Sequence, residues 1–68
     1  MFKSELLKSV MVSKKVSSAD LSDKIGINIT TFYKKMNGQS EFTRSEMRII
    51  KAVLNLSKDE MDSIFFDD

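Results

Sequence analysis

The chain has 68 residues with no cysteine, no histidine, no proline and two glycines, and its 11 basic side chains nearly balance 10 acidic ones. That length gives one domain, residues 1–68, which buries only about 60% of its unfolded surface, and the missing residue types exclude disulfides, thiolate metal sites and the usual zinc ligand and general base. The longest apolar runs are three residues, against about 20 for a bilayer span, and no secretory leader pattern precedes the first helix, so a non-membrane, cytoplasmic protein is expected.

A net charge of +1 hides an uneven distribution. Residues 1–38 carry seven lysines against Glu5, Asp20 and Asp23, a balance of +4; residues 39–68 carry four basic residues against seven acids, a balance of −3. The split hints at one side that faces a polyanion, although an ordinary solvated surface can carry the same imbalance.

Without proline or a long alternation of β-branched residues, helices are expected throughout. The first, about 3–14, places Phe2, Leu6 and Val10, with Leu7 and Met11, at i, i+4 spacing as one apolar stripe, and Lys14 and Lys15 close it as solvated helix-end residues. A local pattern then recurs at 16–21, 42–47 and 56–61: an apolar residue, Ser or Thr, two residues, an acid, an apolar residue. Each copy reads as a helix start, with Ser17, Thr43 and Ser57 as caps, an acid three residues on, and an apolar pair as hydrophobic staple. In the first copy Asp20 replaces the usual Glu or Gln, which weakens the reciprocal half of the box.

The second and third helices, about 18–25 and 29–37, flank Gly26, where a tight turn needs positive φ; this is the spacing of a helix-turn-helix over about 18–38. The third start has Ile27 and Phe32 as staple and Asn28 as cap, but Thr31 stands where an acid is expected. Its backbone N–H groups and positive dipole end are therefore left without a carboxylate, which suits an approaching phosphate. Gly38 is placed as the left-handed residue after this helix. Lys34 and Lys35, in its last turns, either complement the dipole or meet phosphates.

After a loop, a fourth helix, about 44–55, faces Met47, Ile50, Val53 and Leu54 inward, and a fifth, about 58–66, offers Met61, Ile64 and Phe65 on one face. Phe66 must then point elsewhere, as a candidate contact for a second protein. Asp59, Glu60 and Asp62 lie in a helical first turn without the spacing of a calcium loop, and Asp67 with Asp68 reads as an acidic frayed end. Most methionines fall at core positions. Nothing suggests an enzyme, a cofactor, a metal or a small-molecule substrate.

These residues resemble the lambda-repressor-like, or XRE-type, helix-turn-helix family of bacteria and their phages. The likeness covers most of the chain and is strongest over 18–38, where Gly26 and Asn37-Gly38 keep the family's spacing and Leu21, Ile25, Ile27, Phe32 and Met36 fall at its core positions. The stretch "TTFYKKMNGQSEFTRSEMRII" is similar to small Cro-like and MOR-like regulators of temperate phages of Gram-positive hosts. Two positions depart from the pattern: Ser22 where the family favours Ala, and Lys35 where it often has an aromatic or apolar residue.

The resemblance implies an all-α, five-helix DNA-binding domain. It places Ile29, Thr30, Thr31, Tyr33 and Lys34 toward bases, and Ser18, Asn37 and Gln39 toward phosphates. Asn28 at the helix tip and Lys35 join the phosphate set. No Arg or Gln offers a bidentate reading of one base, so specificity should rest partly on half-site spacing and DNA shape. The expected function is a sequence-specific transcription regulator, repressor or activator, of a phage or prophage lysogeny switch that binds a double-stranded operator with residues 28–37 in the major groove, with a possible homodimer on DNA. The alternative is a MOR-like antirepressor that binds a cognate phage repressor's DNA-binding domain, with Phe66 on the partner surface.

Overall fold

The computed structural model describes residues 1–66. Among them are five α-helices and no strand: α1 Ser4–Lys14, α2 Ser18–Ile25, α3 Ile29–Met36, α4 Arg44–Leu54 and α5 Lys58–Met61, the last running into a π-helical turn, Asp62–Phe66. The fold is all-α, and none of these helices is long and apolar enough to cross a membrane.

The helix starts follow the pattern in the sequence. Thr43 and Ser57 accept from the N–H groups of Glu46 and Glu60, whose carboxylates accept in return from the N–H groups of Thr43 and Ser57, two complete capping boxes. Ser17 accepts from Asp20 N–H at 3.0 Å, and the return bond is absent among the described residues, as expected for the shorter Asp. Asn28 Oδ1 accepts from Thr31 N–H at 2.8 Å.

The helix ends share a second device that the sequence only half reveals. Lys15, Gly26, Gly38 and Asn55 all take positive φ, at 59°, 90°, 82° and 53°. The residue after each donates its N–H to the carbonyl five back: Val16 to Met11, Ile27 to Ser22, Gln39 to Lys34 and Leu56 to Lys51. Each helix from α1 to α4 thus ends in a Schellman motif. In three of the four junctions the turn is the same three-residue unit, a left-handed residue, an apolar residue and a cap: Lys15-Val16-Ser17, Gly26-Ile27-Asn28 and Asn55-Leu56-Ser57. The middle residue closes one helix and staples the next. The junction from α3 to α4 is longer and carries Phe42 as its staple residue.

These turns fold the helices around a core in which Leu7, Leu21, Phe32, Ile50 and Leu54 are fully buried, with Met11, Met36, Phe42, Leu56, Met61, Ile64 and Phe65 beside them. Phe42 is the hub of an aromatic cluster, its ring 5.4 Å from Phe2, 6.0 Å from Phe32 and 5.9 Å from Phe65, all edge-on, the arrangement the ring quadrupoles favour. Lys3 N–H donates to the Ile64 carbonyl at 2.6 Å, which ties the start of the chain to the end of the described residues. Ser22 is buried where α2 meets its neighbours, and its hydroxyl donates to the Ala19 carbonyl at 3.0 Å; serine fits there without an unpaired polar atom.

Two expectations change. Leu6 is 45% exposed and does not join the α1 stripe, since Leu7 and Met11 take the inward face with Phe2 and Val10 partly covered. The fifth helix is not α-helical to residue 66: after one turn it widens to the π register, which still turns Ile64 and Phe65 inward and leaves Phe66 59% exposed. The expected acidic end, Asp67 and Asp68, lies outside the described residues.

Candidate nucleic-acid interface

α3 is built as an exposed edge with a buried back. Phe32, Lys35 and Met36 are its buried residues. On the outward side, Thr30, Tyr33, Lys34 and Asn37 are all exposed, and their i, i+3, i+4, i+7 spacing sets them in one row. Ile29, 36% exposed, and the half-buried Thr31 border the row. Tyr33 rests its ring edge-on against Phe32 at 6.2 Å and keeps 51% of its surface open.

The tip of α3 is unlike the other helix starts. Glu5, Asp20, Glu46 and the Asp59-Glu60 pair sit in the first turns of α1, α2, α4 and α5, whereas α3 has no acid there. Its first intrahelical bond is Phe32 N–H to the Asn28 carbonyl, so the N–H groups of Ile29 and Thr30 precede the helical ladder at an exposed, positive dipole end. Asn28 commits its side-chain oxygen to the cap, which leaves its amide donors for another acceptor. At the far end, Gly38 and Gln39 complete the Schellman motif, and Asn37 and Gln39 are exposed on the loop that follows. Ser18 is half-buried as the first residue of α2.

Lys35 is the correction to the site. It is 8% exposed, and its ammonium donates to Glu46 Oε1 at 2.8 Å and to the Glu41 carbonyl at 3.1 Å, 5.9 Å from the centre of the Phe42 ring. Its stem fills the apolar position and its charge is spent inside the protein, so it cannot serve a phosphate. The same Glu46 oxygen accepts from Thr43 N–H at 2.8 Å. Burial alone would raise this carboxyl, but the Lys35 hydrogen bond, the Thr43 N–H and the nearby ammonium hold it below the ordinary carboxylate range. One carboxylate therefore caps α4 and anchors the end of α3.

No family model, curated protein or solved structure matches this chain.

Two further surfaces lie outside the α3 row. Arg44, Arg48 and Lys51 are exposed along α4 at i, i+4, i+7, a cationic row whose spacing is visible in the sequence but was not among the expected contacts. An open groove of about 720 Å³ runs beneath the loop after α3, lined by Phe2, Met36, Phe42, Met47, Phe65 and Phe66 among others.

Proposed function

We propose that this protein is a DNA-binding transcription regulator of the XRE or Cro type that lays α3 in the major groove of an operator. The observation that carries this reading is the α3 edge: a capped tip free of acids, followed by Thr30, Tyr33, Lys34 and Asn37 on one exposed row. A helix about 10–12 Å across with its side chains suits a groove about 12 Å wide. Thr30 can bond a base edge or meet a thymine methyl, Lys34 reaches guanine O6 or N7, and Tyr33 offers a flat face with a hydroxyl. Asn28, Ser18, Asn37 and Gln39 meet phosphates on either side and set the register. The test is titration of labelled promoter DNA at two salt concentrations. Affinity that falls steeply with salt is the expected result, and no binding at low salt overturns it.

A second reading, an antirepressor that binds a cognate repressor's DNA-binding domain, draws on a different surface. Phe66 stands 59% exposed at the rim of the aromatic groove, and a large exposed ring next to an apolar hollow suits a protein partner. A stable heterodimer with the repressor domain, lost in Phe66→Ala and unaffected by Lys34→Gln, would select this reading over operator binding.

A further inference from the structure

We infer that the cationic row Arg44, Arg48 and Lys51 on α4 is a second phosphate-binding surface, which extends the DNA footprint beyond the C-terminal end of α3. The inference rests on the DNA-binding reading of α3 and adds a contact that the recognition helix does not supply.

All three side chains are exposed, and none has an ion-pair partner among the described residues. They line one exposed flank of α4, beside the stripe that buries Ile50 and Leu54. The one acid on α4, Glu46, lies off this row and is already paired with Lys35. At 1.5 Å per residue, Arg44 to Lys51 covers about 10 Å, enough to face about three phosphates of one strand. The flanking exposed residues Ser45, Ala52 and Asn55 are small or polar. The row has no aromatic or large apolar anchor, as a protein interface would need, and bare cations at helical spacing fit a phosphate backbone better. Its start is near α3: Arg44 opens α4 immediately after the Thr43 cap, and Glu46 in that same turn holds Lys35 of α3 at 2.8 Å, so the first turn of α4 lies close to the end of α3.

The experiment is fluorescence anisotropy on a labelled mixed-sequence duplex of about 30 base pairs, between about 50 and 200 mM salt, with wild type, Lys34→Gln and the double variant Arg48→Gln/Lys51→Gln. Circular dichroism melting confirms that each surface variant stays folded. The double variant should bind more weakly, with the slope of log affinity against log salt reduced by about 2, since each phosphate contact contributes about 0.9. A slope unchanged in the double variant but reduced in Lys34→Gln overturns the inference and leaves the α3 reading in place. Absence of salt-sensitive binding by the wild type overturns both.

Discussion

Lys34 and Lys35 are adjacent, chemically identical and opposite in use. Lys34 is exposed on the α3 row, whereas Lys35 is buried against Glu46 and Phe42. Removal of one partner from a buried ion pair costs about 3–5 kcal/mol; because both side chains keep a little solvent contact, Lys35→Ala is expected to lower unfolding stability by about 2–3 kcal/mol. Lys34→Ala should shift stability by less than about 0.5 kcal/mol while it weakens DNA binding, and urea unfolding beside anisotropy separates the two. The pair also sets an acid dependence. The folded-state carboxyl of Glu46 lies below its ordinary value of 4.5, so the unfolded chain binds its proton more readily. Its contribution is complete above that value and lost as pH falls through the lower folded value. The stability gap between wild type and Glu46→Gln should therefore be largest near neutral pH and narrow from about pH 5 downward; a gap constant with pH would contradict the pairing. The fate of Lys35 was not legible in the sequence, because its partners lie six and eleven residues away and only the tertiary fold brings them to its ammonium.

At the scale of elements, the caps were legible because they are local: Ser17, Asn28, Thr43 and Ser57 each bond within three residues of themselves. The opposite ends were legible only where glycine marked them. Gly26 and Gly38 announce positive φ, but Lys15 and Asn55 adopt it without that signal, held by the Schellman bonds and the apolar residues that follow. An added Cβ at Gly26 meets nothing within 4 Å, so Gly26→Ala should cost only the left-handed penalty, about 1 kcal/mol. Lys15→Gly should stabilise by up to about 1 kcal/mol by removing the same penalty. Thermal melts of the two variants check both signs. The π register at Asp62–Phe66 was illegible, because apolar spacing there suits an α-helix equally well.

For the whole molecule, the Cα radius of gyration of 10.7 Å agrees with about 11 Å for a single compact unit of this length, and stability on the order of 0.05–0.15 kcal/mol per residue leaves little reserve. Phe32, fully buried, is the residue of α3 that fixes it to the core. Phe32→Ala, at about 3–5 kcal/mol, should leave much of the population unfolded at 37 °C by circular dichroism. The core and helix order could be read from periodicity and capping, whereas the outward placement of Thr30, Tyr33 and Lys34 came from the family resemblance. Solvent exposure of the Arg44, Arg48 and Lys51 row, and the closure of the aromatic cluster around Phe42, depend on how five helices pack. The molecule measures 27 × 24 × 20 Å; if it binds DNA as proposed, two copies side by side would have to reach half-sites about one helical turn, or 34 Å, apart. The central claim is that the tip of α3 is held open for a phosphate backbone. Its most direct test is operator affinity of Thr30→Glu against wild type at low salt, with both proteins confirmed folded. At least a tenfold loss, about 1.4 kcal/mol, is the expected result, and a variant that keeps full affinity would contradict the docking of α3.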